Sequence, residues 1–512
     1  MNSHDQSAAL SSQEQSKEPG AFLSNRSLIV ASNRGPFSFS TAEDGSIQTQ
    51  RGTGGLVTAL TGLAKNVDIT WIASALNDLE RQMGRGKYEL DEQGGVIDLD
   101  LVPIEADVYE GYYNVIANPL LWFLQHSMWD VVSSPTITRD TWQAWDDGYV
   151  VANREFAQAI ANRVIHTPQK SIVMLQDYHL YLVPRMLRNI LKRPRKSDQV
   201  TITQFILFPW PGPEQVRILT LVMRKAILDG LTAVDVLGFQ TREDGLDFLR
   251  SVESHLPNAS INYKHGRIWY RGHATHVRDF PISIDIAALK TTAKSEEVQQ
   301  YRMQFEESLL PDEKLILRVD RTEPSKNIVR GFQAFGEMLE NHPEHIGKVK
   351  FIALLVPSRL DVDEYRNYHD NMMAAAGWIN SRYGSGEWEP IRIILGENYA
   401  RAVAAMQIYD VLLVNSIADG MNLVAKEGPI VNEKDGVLVL SERTGARQQL
   451  APGAFVIPPC DIYATSEALH QALVLSGSDR QVRANRLRWL IEENDINAWF
   501  RSQIEEIRRL GR

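Results

Sequence analysis

The chain has 512 residues, of which 44% are hydrophobic and 23% charged, which is the composition of a soluble globular protein large enough for two or more domains. A net charge of −10 argues against a general binder of nucleic acid or of anionic membranes. A single cysteine, Cys460, excludes a disulfide framework and a cysteine-based metal cluster, and it fits a reducing compartment.

No stretch approaches the ~18–20 consecutive apolar residues of a membrane span, and the N-terminus lacks the basic-then-apolar pattern of a secretory signal. The expected location is cytoplasmic. Residues 1–26, rich in Ser, Gln, Glu and Ala, read as a disordered tail. From there, short β-branched runs alternate with helical patterns. Ser27–Ala31, Ile69–Ile72, Ser171–Leu175, Val200–Phe205 and Val234–Gly238 are expected to be buried strands. A second series follows: Leu315–Val319, Val349–Val356, Ile391–Leu395, Val411–Val414, Val437–Leu440 and Ala454–Ile457. Its helices are placed at Ile328–Asn341, Val362–Tyr383, Tyr399–Ile408 and Ala464–Leu475. Such alternation signals parallel sheets with crossover helices. The expectation is therefore α/β: two Rossmann-like, doubly wound domains, 27–284 and 285–480, facing a central cleft. The remainder, 481–512, is expected to form one terminal helix packing back on the first domain.

The most informative block is Asp419-Gly-Met-Asn422-Leu423-Val-Ala-Lys-Glu427, after the run Val411–Val414. A strand leading through Asp-Gly into a helix offers free backbone N–H groups to an anion. Asp419 and Glu427 only accept hydrogen bonds, so they suit a ligand's hydroxyls, while its phosphates take the helix N-terminus. That division describes a nucleotide-sugar, although an Asp-Gly pair alone is also an ordinary turn. Arg321 and Lys326, in Arg318-Val-Asp-Arg-Thr-Glu-Pro-Ser-Lys, can converge on one diphosphate across a turn. Arg359 is a third cation at a strand end, a position equally open to a solvated surface charge. In the first half, Ser32-Asn33-Arg34-Gly35 and the glycine-rich loop Arg51–Gly55 follow strand signals without forming a Walker or dinucleotide fingerprint. Asp177-Tyr-His179 ends another strand, and Tyr113 and Trp122 stand among polar groups, where plain packing is the alternative.

Taken together, these segments resemble the trehalose-6-phosphate synthases of glycosyltransferase family 20, in order from about Ser27 to about Phe500. The resemblance implies the GT-B fold and transfer of a sugar, with retention, from a nucleotide-sugar to a sugar phosphate. It implies no cofactor and no protein-bound metal. The implied partners are those two substrates, with no nucleic acid and no membrane, and a homo-oligomer is left open. By position, Arg34, Tyr113, Trp122 and Arg359 match residues on the acceptor's phosphate. Asp177 matches the acidic residue beside the reacting sugars and, with Arg321 and Lys326, forms the implied catalytic set. Gly55, Arg321, Lys326, Asp419, Asn422, Leu423 and Glu427 match donor-binding positions.

Two positions depart from the pattern. The family's donor-contacting histidine is Leu207 here, and the second aromatic of its Trp-x-x-Trp segment is Ser74, following Trp71. Trp269-Tyr-Arg-Gly-His273 also resembles validoxylamine-7′-phosphate synthase, which leaves a cyclitol donor or acceptor as a second reading. A sugar-phosphate sensor with little turnover is a third, supported by Leu207. Keeping Arg321, Lys326, Asp419 and Glu427 together argues against it. The base of the donor, UDP, GDP or ADP, is not legible.

Overall fold

The computed structural model of the protein describes residues 22–42, 44–51, 68–89, 95–193, 196–359 and 363–511. The chain forms two compact units, one ending at Phe280 and regaining Trp499–Arg512, the other comprising Pro281–Ala498.

The first unit is built on a ten-stranded sheet whose middle is parallel. Its strands are β1 (Arg26–Ala31), β4 (Ile69–Ser74), β5 (Arg85–Glu89), β6 (Val96–Val102), β7 (Lys170–Gln176), β8 (Val200–Phe205), β9 (Val236–Phe239), β10 (Ser260–Asn262), β11 (Arg267–Tyr270) and β12 (His273–Asp279). A separate antiparallel hairpin pairs β2 (Phe37–Thr41) with β3 (Ile47–Arg51). The sheet order is β10-β11-β12-β9-β8-β7-β1-β4-β6-β5. β1 and β8 are largely or wholly buried, because helices cover both faces of a parallel sheet. From β1 the chain first winds to β4 and β6 on one side, then crosses to β7, β8 and β9 on the other. The β1/β7 boundary is thus a topological switch point, where adjacent crossovers leave a crevice at the carboxyl ends of the strands.

The second unit has a six-stranded, all-parallel sheet. Its strands are β13 (Lys314–Arg321), β14 (Val349–Val356), β15 (Ile391–Leu395), β16 (Val411–Val414), β17 (Val437–Ser441) and β18 (Phe455–Ile457), in the order β15-β14-β13-β16-β17-β18. Here the switch point lies between β13 and β16. Four helices matter below: α1 (Ile328–Asn341), α2 (Tyr399–Ile408), α3 (Val424–Val431) and α4 (Ile462–Val474). α1 buries Phe332, Phe335, Met338 and Leu339, at the i, i+3, i+6, i+7 spacing of one helix face, against Phe351 and Ile316 of the sheet. α4 adds Leu469, Ala472 and Leu473 to the same core.

Three expectations need correction. Residues 22–26 are not tail: Leu23 is buried, Arg26 opens β1, and its guanidinium donates to Phe22 O at 2.9 Å. The terminal segment is not one helix but two, Gly477–Glu492 and Ile496–Arg509. Between them Asp495 Oδ1 accepts from Ala498 N at 2.8 Å, a side-chain cap that starts a new helix. Gly477–Glu492 belongs to the second unit, where Arg480 pairs with Asp410 and Arg488 with Asp435. Trp499 of the last helix donates to Phe280 O at 3.0 Å and meets Phe205 edge-on in the first unit. Glycine-rich Gly55 lies outside the described residues.

Candidate active site

In the first unit the expected residues gather at three adjacent strand ends: Arg34 after β1, Asp177 after β7 and Leu207 after β8. Asp177 has φ 63° and ψ −178°, a region that side chains avoid and glycine tolerates. Three bonds hold it there. Its N–H donates to Phe205 O at 2.9 Å, its carbonyl accepts from Gln204 Nε2 at 2.9 Å, and Oδ1 accepts from Leu207 N at 2.9 Å. Burial pushes the Asp177 carboxyl up to about 7, with the Leu207 N–H opposing the shift. A strained, desolvated carboxylate at a switch point is a functional-site signature. Leu207 thus acts on Asp177 through its backbone, which is indifferent to the side chain. No signal in the sequence revealed this.

Arg34 has an exposed side chain, and its Nη2 reaches Tyr113 Oη at 3.5 Å. Tyr113 comes from a wide π-helical segment, Glu110–Leu121, a winding common at functional sites. Gly148 lets a second such segment, Ala144–Tyr149, approach it: a Cβ there would stand 2.7 Å from Gly111 C. The Tyr113 ring stacks between Tyr109, at 5.2 Å, and His179, at 5.8 Å. Trp122, by contrast, is 1% exposed and stacks on His126 at 4.0 Å. Ring contacts continue from His126 through Phe208 and Tyr178 to His179. Trp122 therefore joins the Tyr113 cluster at the far end of an aromatic chain. Ser74, where an aromatic was expected, has its own partner: its hydroxyl donates to Asn33 Oδ1 at 2.9 Å, and Asn33 Nδ2 donates to Tyr109 Oη at 3.2 Å. Trp71 is buried and donates to Ser32 Oγ at 2.9 Å.

In the second unit Arg359 follows β14, Arg321 ends β13 with Lys326 after it, and Asp419 follows β16, again three adjacent strands. Lys326 Nζ donates to Asp419 Oδ2 at 2.5 Å, and Asp320 Oδ1 lies 3.9 Å from it. Burial alone would lower the Lys326 amine, but Asp419, Asp320 and Glu323 outweigh it and raise it, so it stays charged. Asp419 Oδ2 also accepts from Asn422 Nδ2 at 3.0 Å and Ser416 Oγ at 3.1 Å. Asn422 has φ 59°, the left-handed turn that lets the chain enter α3 just after Leu423, whose side chain is half-buried. Arg321 projects a half-exposed guanidinium held 3.2 Å from Glu323 Oε1. Arg359, at φ 48°, donates to Tyr365 Oη at 2.6 Å.

Two supporting residues escaped the sequence reading. Arg318, fully buried, donates to Asn415 Oδ1 and to the Lys326 carbonyl at 3.2 and 3.3 Å, which fixes the turn carrying Lys326. A lone arginine inside the apolar strand run Leu315–Val319 was the available signal. Tyr399, at the start of α2, donates to Glu427 Oε1 at 3.3 Å. Burial pushes the Glu427 carboxyl up to about 7, and the Tyr399 bond opposes the shift. Tyr399→Phe therefore raises that carboxyl further. The acid limb of kcat/KM for a donor should move to higher pH in this variant, as a pH-rate profile would show; an unmoved limb would remove Glu427 from donor binding.

The chemistry is legible in the arrangement. One unit gathers cations and carboxylates around a switch point, donors and acceptors that together could meet phosphates and hydroxyls. The other offers a desolvated carboxylate beside an Arg–Tyr pair. Among the described residues no helix is long and apolar enough to cross a membrane.

The family model for glycosyltransferase family 20 matches residues 26–509. A UDP-forming α,α-trehalose-phosphate synthase of Schizosaccharomyces pombe is 32% identical over 499 residues, covering 96% of this chain and 92% of its own. The enzyme of the same name from Candida albicans is 32% identical over 487 residues, covering 94% and 97%. Among solved structures, the E. coli trehalose-6-phosphate protein bound with UDP-2-fluoro glucose superposes with a TM-score of 0.79 at 26% identity, covering 94% of this chain and 98% of that one. A UDP-forming α,α-trehalose-phosphate synthase from Burkholderia vietnamiensis gives 0.79 at 25% identity, covering 95% and 98%. With its two Rossmann-like units and its match along nearly the whole length, the chain belongs to glycosyltransferase family 20, whose fold is GT-B.

Proposed function

We propose that this protein is a retaining glycosyltransferase that moves glucose from UDP-glucose to glucose-6-phosphate, releasing UDP and forming trehalose-6-phosphate. The observation that carries the reading is the Lys326–Asp419 pair at the β13/β16 switch point, with Arg321 beside it. Relatives covering nearly the whole chain are named for this UDP-forming reaction, which supports the choice of substrates. As the donor's bond to the sugar breaks, negative charge grows on the departing diphosphate. Arg321 and Lys326 are already in place to stabilise it, so no reorganisation is needed at the moment of reaction. Asp419, with Asn422 and Leu423, holds the donor sugar, and Glu427 takes ribose hydroxyls. Asp177 stands beside the reacting sugars. Arg34, Tyr113 and Arg359 are each assigned to the acceptor's phosphate by their match to the family's positions, and Trp122 supports Tyr113 through the aromatic chain. The cyclitol and sensor readings have no counterpart among the relatives named above.

The test is a panel of nucleotide-sugars and sugar phosphates with products identified by mass spectrometry. A disaccharide monophosphate should form from UDP-glucose and glucose-6-phosphate; turnover confined to another donor class would overturn the reading.

Leu207 bears on donor choice. A histidine there could bond a hydroxyl of the donor, whereas leucine offers apolar surface, and apolar pockets discriminate by only about 10–200-fold. Because Leu207 anchors Asp177 through its N–H, Leu207→His should leave that anchor intact. The native protein is expected to accept donors altered at the hydroxymethyl end, and Leu207→His to narrow that choice. Identical donor panels for both proteins would remove the idea.

A further inference from the structure

At the end of α1 the chain turns through His342-Pro-Glu344-His345, and α4 presents Glu467 and His470 to it. The His342 and His470 rings stack in parallel, centroids 3.6 Å apart and planes 6° apart. One ligand atom each from His342, Glu344 and His470 lies within 4.8 Å of the others, and the His342 Nδ1 to Glu344 Oε1 distance is 3.7 Å. The second nitrogens are already engaged. His342 Nε2 meets Glu467 Oε1 at 2.9 Å, and His470 Nδ1 meets His345 Nε2 at 2.9 Å.

This is the layout of a metal site with its orienting partners in place. Ligand histidines characteristically bond their other nitrogen to a carboxylate or another acceptor, which fixes the tautomer and turns the lone pair toward the ion. With Nε2–H of His342 given to Glu467, Nδ1 keeps its lone pair; with Nδ1–H of His470 given to His345, Nε2 keeps its own. The site lies at the far end of α1 from Lys326. Along a 14-residue helix that is about 20 Å away.

We propose that His342, Glu344 and His470 bind one divalent ion of the zinc type, stapling the turn after α1 to α4. Two imidazoles and one carboxylate are a ligand set that zinc takes, with water completing four-coordination. Binding requires the stacked rings to tilt out of parallel, with the Glu467 and His345 bonds following, until both in-plane lone pairs converge on the ion. Half-buried histidines beside an exposed glutamate leave room for that tilt. The role is structural, since the ion would join α1 to α4 and neither carries a residue placed in the reaction.

The test uses full-length protein stripped with a chelator and dialysed. Zn²⁺ is titrated calorimetrically, with Co²⁺ as an absorption probe. The expected result is one ion per chain, a cobalt spectrum of a nitrogen-ligated, low-coordinate site, and a higher unfolding temperature with zinc. At zinc 100-fold above Kd the folding equilibrium shifts about 100-fold toward the folded form. His470→Ala should abolish the binding, and Glu467→Gln should weaken it by about 10–100-fold. Glu344→Gln, a change at an exposed side chain, should weaken it at least tenfold and serves if His470→Ala does not fold. Absence of stoichiometric binding, or binding unchanged in Glu344→Gln and Glu467→Gln, overturns the proposal.

Discussion

Replacing Lys326 by alanine is expected to lower turnover by about 10²–10³-fold, the loss seen when one preorganised donor to a developing negative charge is removed. The Lys326 side chain is 12% exposed, and its amine sits between Asp419 and Asp320 at a strand-end switch point. Its charge faces the diphosphate most usefully when the sugar bond is breaking, so the loss belongs in kcat more than in donor binding. The same variant takes a cation from two desolvated carboxylates, leaving Asp419 its Asn422 and Ser416 donors and Asp320 the Arg318 guanidinium. Burial already pushes Asp320 up to about 6 against the pull of Arg318 and Lys326. Removing one partner of such a buried set costs on the order of 3–5 kcal/mol of stability, so thermal unfolding should be recorded beside the kinetics. A folded variant with near-normal kcat and only weakened donor binding would show that Lys326 serves the ground state alone.

Arg359→Ala should act on the other substrate. A desolvated charge pair with one partner removed costs about 2–5 kcal/mol, which at 1.4 kcal/mol per tenfold raises the acceptor's constant roughly 30-fold or more. The donor's constant should move far less. Arg359 is held in a left-handed backbone turn and by its bond to Tyr365, a buried residue, so its guanidinium is aimed before substrate arrives. An acceptor constant unchanged in the variant, or a native protein that uses glucose as readily as glucose-6-phosphate, would end the assignment of Arg359 to the acceptor's phosphate.

Much of the architecture was legible because buried parallel strands leave a simple trace. Val200–Phe205, Val349–Val356, Ile391–Leu395 and Val411–Val414 are continuous runs, largely apolar and β-branched, and the strands take those bounds. The edge β10–β12 was not, since Ser260–Asn262 is short, His273–Asp279 is polar, and β12 joins the sheet through β9, about 40 residues earlier. The π-helical winding of Glu110–Leu121 was hidden as well, because its apolar spacing reads as ordinary helix.

At the site, the sequence showed the cations and carboxylates by their place after strand runs. It could not show the left-handed backbone of Arg359, and at Asp177 and Asn422 it offered only that Asp and Asn enter positive φ more readily than other side chains do. Nor could it show Leu207 N holding Asp177, or Tyr399 meeting Glu427, since those are meetings of separate elements. The expectation of no protein-bound metal came with the family resemblance and not from the residues of this turn. His342-Pro-Glu344-His345 was visible, but its partner His470 is 125 residues beyond His345.

The most direct measurement is the structure of the product made by purified protein from UDP-glucose and glucose-6-phosphate. NMR of that product should show an α,α-1,1-linked, non-reducing disaccharide carrying one phosphate, formed in step with one equivalent of UDP. A β-configured linkage, a product lacking the acceptor's phosphate, or UDP released only by hydrolysis would contradict the account.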